Sequence, residues 1–189
     1  MGGAFERGSG GCELMSLFVF GYGSLMWRPG FEFEDKAFAT VRGRHRRLCV
    51  YSWVHRGTQE RPGLVMGLDR GGACRGIVYR VADERRDEVV AYLRAREQVT
   101  MVYLEVNVTA QIDDGSTVSA LTYVVDRKHP QYAGRLSLDE TYAQVHGAVG
   151  QSGPNDEYVL STADLLTEAG IADPRLHTLA ERLRQRDAA

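Results

Sequence analysis

At 189 residues, 43% apolar and 25% charged, the chain has the bulk for one globular domain with a single substantial core. Its net charge of -2, with basic and acidic residues interspersed, excludes a general electrostatic pull toward nucleic acid or an anionic membrane and leaves small molecules or proteins as partners. No apolar run near the start is long enough to span a bilayer, no charged segment with a cleavage site precedes it, and Cys12, Cys49 and Cys74 have the spacing of neither a disulfide framework nor a zinc site, so the expectation is a cytoplasmic protein without structural metal.

Residues 1–14 are rich in Gly and Ser without periodicity and read as a disordered leader, with one domain over 15–189. Leu17-Phe-Val-Phe20 is a run of strand-forming apolar residues that feeds directly into Gly21-Tyr22-Gly23-Ser24-Leu25. Glycines at 21 and 23 can adopt positive φ and leave backbone N–H groups open to a carboxylate or an oxyanion, with the Ser24 hydroxyl beside them. It is not a phosphate-binding P-loop, since no Gly-Lys-Ser/Thr follows. The dinucleotide fingerprint fails as well, because the third glycine is missing and Trp27-Arg-Pro29 breaks the helix that should open there. By itself the stretch is either an anion-binding loop or a tight turn that closes a core strand.

Phe38 to Val41, Leu48 to Trp53, Leu64 to Leu68 and Gly76 to Val81 are short β-favourable runs separated by Gly-, Arg- and Pro-containing connections. Arg42, Arg44, Arg46 and Arg47 crowd one segment. In a net acidic chain they read as exposed strand arginines whose stems cover apolar surface, rather than as a nucleic-acid patch.

Asp83 to Gln98 has the pattern of a helix, with acidic residues at its positive end and Val89, Val90 and Leu93 on its apolar side. Val90, Leu93 and Glu97 fall at i, i+3 and i+7, so Glu97 projects within about 20° of Val90, on the side expected to be buried. Arg94 and Arg96 are expected to point away into solvent. Glu97 is therefore either a functional carboxylate placed against the core or an interfacial Glu at a frayed helix end, paired with an arginine.

From Val102 to Ile112 apolar and polar residues alternate, which predicts a strand with one core face and one polar face. Asp113-Asp-Gly115-Ser then turns it into a second strand, Thr117 to Val125. After a loop over 127–134, Ser137 and Glu140 form a capping box for a helix reaching about Val149. A connection over 151–155 leads to a helix ending near Gly170, and Asp173-Pro174 caps and starts the last one. Cys49 and Cys74 read as packing residues, and His129, His146 and His177 as ordinary surface or interface histidines.

Several motifs stand together in order: Phe20-Gly-Tyr-Gly-Ser-Leu-Met-Trp27, His55-Arg-Gly-Thr58, Arg61-Pro-Gly63, Gly76-Ile-Val-Tyr-Arg-Val81, Tyr92-Leu-Arg-Ala-Arg-Glu97, Tyr132-Ala-Gly134 and Gly153-Pro-Asn-Asp-Glu-Tyr158. As a set, over about Leu17 to Leu183, the chain resembles the ChaC family of γ-glutamylcyclotransferases. That resemblance implies an α+β fold, a γ-glutamylcyclotransferase-like mixed β-barrel flanked by helices. It also implies an enzyme that releases 5-oxoproline and Cys-Gly from glutathione. The loop Phe20, Gly21, Tyr22, Gly23, Ser24 and Leu25 would hold the γ-glutamyl end, and Glu97 would be the base.

The chemistry agrees with the residues. In a γ-glutamyl peptide the α-amine can attack its own γ-carbonyl, so the reaction calls for a folded substrate and a base, without a Ser or Cys nucleophile, a metal or another cofactor. A Glu on an apolar face suits the task, because desolvation raises its pKa toward neutrality. Arg56 is expected either to pair with the glycine carboxylate of glutathione or to be a solvated loop arginine, and Tyr132 to line the pocket. Two positions depart from the family pattern: Gln98-Val-Thr-Met101 stands where Lys-Gly-Gly-Tyr is common, and Val54 where an acidic residue usually precedes His-Arg-Gly. They leave open a cyclotransferase for other γ-glutamyl compounds. A non-catalytic regulator that binds a small acidic metabolite in the same pocket is the alternative from another class. Against it stands Glu97, a second negative charge from which a pure carboxylate binder would gain nothing.

Overall fold

The computed structural model describes residues 16–187; the leader expected over 1–14 lies outside the described residues. The chain forms two compact units, one made of the residues up to Arg46 together with Leu68–Asp126, the other of Arg47–Gly67 together with the chain from Arg127 onward.

The first unit holds β1 (Leu17–Gly21), β2 (Asp35–Ser52) as far as Arg46, β3 (Gly63–Val81) from Leu68, β4 (Tyr103–Ile112) and β5 (Thr117–Val125), with helix α1 (Arg86–Glu97) between β3 and β4 in the chain. The strands close into a barrel in the order β1-β3-β2-β4-β5. β1 runs antiparallel to β3, from Leu17 opposite Val81 to Gly21 opposite Ile77, and parallel to β5, with Val19 opposite Leu121. This sheet is therefore mixed. A strand flanked on both edges suits the uninterrupted apolar run of β1, in which Val19 and Phe20, pointing to opposite faces, are both fully buried.

Four short β runs were expected between Phe38 and Val81; the structure has two long strands there. The polar residues between the runs stay in the ladder because a strand needs only paired backbone, and exposed side chains such as Arg42 and Arg70 point to solvent. Gly43, Gly71 and Gly72 take positive φ along the way, and the His45 ring Nδ1 lies 3.0 Å from the Gly71 carbonyl oxygen.

The β4–β5 hairpin is present, in continuous register from Tyr103 opposite Val125 to Gln111 opposite Thr117, and Gly115 supplies the positive φ of its turn. The expected division into a core face and a polar face fails at its open end. There Leu104 is 46% exposed, whereas Tyr103 packs on a core of Leu17, Val19, Leu25, Val81, Leu121 and Tyr123 that also takes Val89 and Leu93 from α1. The helix covers the face that carries Tyr103 and Glu105, so burial changes sides along the strand. α1 itself begins after a 3-10 turn over Asp83–Arg85.

In the second unit, the capping box of Ser137 and Glu140 opens α2 (Leu138–Val145). This helix stops short of the expected Val149, because His146 is extended and Gly147 takes positive φ. Val149–Gly150 (β6) and Gly153–Pro154 (β7) then form a two-stranded ribbon. α3 (Asn155–Glu168) and α4 (Pro174–Asp187) follow, and the Asp173 carboxylate accepts the Leu176 N–H at 3.1 Å as expected of a cap. Among the described residues no helix is long and apolar enough to cross a membrane.

Asn155, fully buried at the start of α3, acts as a strand partner for Leu64: its Oδ1 accepts the Leu64 N–H at 2.6 Å and its Nδ2 donates to the Leu64 carbonyl at 2.8 Å. Asn155→Ala orphans two buried backbone groups. At about 1–3 kcal/mol for each unsatisfied group, the variant should lose at least about 2 kcal/mol in a denaturant melt; a loss under about 0.5 kcal/mol would show that this bond pair is dispensable.

Candidate active site

β1 delivers the Gly21–Leu25 segment to the end of the barrel, where the chain folds back in a 3-10 turn over Ser24–Met26. The expected positive φ is absent at both glycines. Gly21 is extended and paired with Ile77, and Gly23 has φ -126° and ψ -132°. The reason for glycine at 21 is space: a Cβ there would lie 3.0 Å from the Leu25 Cβ and 3.3 Å from the Met26 nitrogen, so a side chain would push the returning turn away. Within the turn the Met26 N–H donates to Gly23 at 2.9 Å and the Arg28 N–H to Ser24 at 2.9 Å. Phe20, Tyr22 and Leu25 are buried and Ser24 is half-buried.

Two buried side chains hold this turn, and neither was legible as doing so in the sequence. Tyr79 of β3 places its hydroxyl 2.9 Å from the Leu25 carbonyl oxygen and 2.8 Å from that of Met26. Arg46 of β2 donates through Nε to the Tyr22 carbonyl and through Nη2 to the Arg75 carbonyl at 2.7 Å. Arg46 is thus a buried brace for the loop, a correction to its reading as an exposed strand arginine.

Glu97 closes α1, with its side chain 17% exposed. The most buried stripe of the helix runs through Val89 and Leu93. Arg96, seven residues after Val89, falls within about 20° of it at a helical 100° per residue. Arg96 and Glu97 therefore flank the stripe together, and the expectation of a solvated Arg96 fails. Its Nη2 donates to the Ser24 Oγ at 3.0 Å, and its Nε lies 3.3 Å from Glu97 Oε1. One guanidinium touches both the turn and the carboxylate. Arg94 behaves as expected, exposed and paired with Glu105 at 2.7 Å.

Burial pushes the Glu97 carboxyl up from its ordinary pKa, while the Arg96 charge pulls it back. Across from α1 stands Tyr123 of β5, whose hydroxyl donates to Glu105 at 2.9 Å. Its phenol is raised by burial and by Glu105, with a further push from the Glu97 charge. Glu105 in turn is held low by the Arg94 guanidinium. Glu97 therefore stays the more basic of the two carboxylates.

Arg56 and Tyr132 belong to the second unit. Arg56 donates to the Pro154 carbonyl at 3.2 Å and lies over the Tyr158 ring, 5.4 Å from its centroid. Tyr132 is half-buried, makes a β-bridge to Val50, and has the Arg127 guanidinium 5.9 Å from its ring centroid. Of the residues singled out in sequence, the first unit brings Glu97 together with Ser24 and the rest of the turn.

The closed mixed barrel with its flanking helices is the fold of solved γ-glutamylcyclotransferases. The glutathione-specific yeast enzyme superposes with a TM-score of 0.80 at 23% identity, covering 90% of this chain and 96% of that one. The family model described as "ChaC-like protein" matches residues 17–186, and the chain belongs to that family. Its relatives include the glutathione-specific gamma-glutamylcyclotransferase of Escherichia coli K12, 34% identical over 86% of this chain and 71% of that protein. The human glutathione-specific gamma-glutamylcyclotransferase 1 is 35% identical over 88% of this chain and 76% of its own length.

Burial pushes the Tyr79 phenol up to about 12. A group whose folded pKa exceeds its unfolded value, here near 10, stabilises the fold below pH 10 and loses that contribution as pH rises toward 12. Stability should fall by roughly 2–3 kcal/mol across that window on account of Tyr79. Tyr79→Phe should lose about 1–3 kcal/mol at neutral pH, because the one hydroxyl proton shared by the Leu25 and Met26 carbonyls is gone, and should show a shallower alkaline decline than the parent. Identical alkaline profiles would remove Tyr79 from this role.

Proposed function

We propose that this chain is a γ-glutamylcyclotransferase that converts glutathione to 5-oxoproline and Cys-Gly, with Glu97 as general base. The single observation that carries the reading is a half-buried carboxylate and the Ser24 hydroxyl of the glycine turn held on one guanidinium. Family membership and the names of the relatives support the substrate.

The reaction follows from these groups. The γ-glutamyl end docks against Gly21–Leu25 with its α-amine folded over its γ-carbonyl, which supplies the proximity term. The amine reaches the site as an ammonium, and Glu97, made more basic by burial, takes its proton. The freed nitrogen attacks the γ-carbon, and negative charge develops on the γ-oxygen, where backbone N–H groups of the turn and the Ser24 hydroxyl stabilise it. The bond from the γ-carbon to the cysteine nitrogen then breaks. The leaving amine collects the proton from Glu97, and the extra proton that the attack leaves on the ring nitrogen follows by way of the same carboxylate, so that 5-oxoproline departs as the neutral lactam and Cys-Gly as its ammonium form. All of these groups belong to the first unit. We place the work in the cytoplasm, in keeping with a sequence whose three widely spaced cysteines do not have the spacing of a disulfide framework.

Purified protein incubated with glutathione and with simple γ-glutamyl amino acids should release 5-oxoproline from glutathione, with Cys-Gly in equal amount. Release from the amino-acid derivatives alone would replace glutathione by another γ-glutamyl substrate. Binding of glutathione without release of 5-oxoproline from any compound would overturn the enzymatic reading in favour of a metabolite-binding regulator.

A further inference from the structure

Resting on the proposed activity, we infer that Arg96 is the positioning residue of this site: its guanidinium fixes the Ser24 turn and the Glu97 carboxylate relative to one another. Every nitrogen of the group is engaged. Nη1 donates to the Arg28 carbonyl at 2.7 Å, to the Pro29 carbonyl at 3.2 Å and to the Tyr92 hydroxyl at 3.1 Å. Nη2 donates to Ser24 Oγ at 3.0 Å, and Nε faces Glu97 Oε1 at 3.3 Å. A guanidinium is planar and rigid, so bonds at one edge fix the direction of those at the other.

The chain around Arg96 is shaped for this arrangement. Gly30 has φ +76°, and a Cβ there would fall 1.9 Å from the Tyr92 hydroxyl, so glycine lets the 28–30 segment close onto Tyr92 and present its carbonyls to Arg96. The Arg96 side chain is only 24% exposed, and its pair with Glu97 is not a solvent-screened surface contact. The other groups around Glu97 cannot substitute. Tyr123 on β5 is a neutral phenol tied to Glu105, Glu105 on β4 is a carboxylate, and Arg94 is spent on Glu105.

Two consequences follow from one group. As a tether, Arg96 aligns the turn that receives the γ-glutamyl end with the base that deprotonates it. As a charge in contact with Glu97, it opposes the upward push of burial and keeps the carboxylate available to accept a proton at neutral pH. A purely structural arginine would serve neither the pH profile nor the Michaelis constant selectively.

The test compares Arg96→Gln and Arg96→Lys with the parent. In Arg96→Gln the acid limb of kcat/KM should move to higher pH, and KM for glutathione should rise. Arg96→Lys keeps a positive charge but loses the fork, so its acid limb should stay near that of the parent while its KM rises. The carboxyl 13C shift of Glu97, followed against pH in parent and Arg96→Gln without substrate, should show the same upward displacement. That titration judges Arg96 even if the parent releases no 5-oxoproline, a result that would overturn the activity alone. An unmoved Glu97 titration in folded Arg96→Gln overturns the role of Arg96. If Arg96→Gln does not fold, an unchanged KM in folded Arg96→Lys overturns it.

Discussion

A carboxylate at the C-terminal end of a helix, withdrawn from water, is unfavourable on two counts: desolvation disfavours its charge, and the negative end of the helix dipole repels it. Glu97 occupies that position as the last residue of α1. Pairing with Arg96 makes the arrangement tolerable, because the guanidinium supplies the opposite charge where the dipole also favours one. The balance leaves Glu97 raised but still paired, a condition suited to a group that must take a proton and give it back. The turn that faces it is fixed to the same arginine.

The barrel explains why the turn can be so short. β1 lies between β3 and β5, and the only freedom left at its end is the direction in which the chain folds back. Gly21 lets it fold tightly, while Tyr79 and Arg46, from the two strands that succeed β1 in barrel order, take up carbonyls of Tyr22, Leu25 and Met26. With those carbonyls occupied from beneath, the turn is preorganised, and little ordering remains to be done when a substrate arrives.

Elements governed by local chemistry were legible in the sequence. The apolar run of β1, the Asp-Gly turn of the β4–β5 hairpin, the Ser137–Glu140 capping box and the Asp173 cap each follow from neighbours within a few residues, and each is present. Side chains that act across strands left no comparable trace. Arg46 sits in a run of arginines with nothing local to mark it as buried, and Tyr79 reads as an ordinary strand tyrosine. Arg96 did leave a signal. Anchoring the helical stripe on Val90 directed Arg96 to solvent, whereas anchoring it on Val89, the residue that is buried, puts Arg96 on the stripe. The two long strands look like four in the sequence because their exposed polar residues resemble connections, although the ladder needs only their backbone. The exposure of Leu104 was hidden for a related reason: alternation reveals that two faces differ, but not where a helix comes to lie.

The most direct test of the account is the turnover of Glu97→Gln at saturating glutathione. The substitution keeps the size of the side chain and much of its hydrogen bonding but removes the site that accepts the ammonium proton. A positioned base contributes about a hundred- to ten-thousandfold, or roughly 3 to 5 kcal/mol of barrier. 5-Oxoproline formation should therefore fall by at least about a hundredfold in kcat, in a protein as thermally stable as the parent or more so, since an amide costs less to bury than a carboxylate. Folded Glu97→Gln protein that turns over within a few-fold of the parent would contradict the account, leaving Glu97 as a structural carboxylate and the proton to be taken by another group.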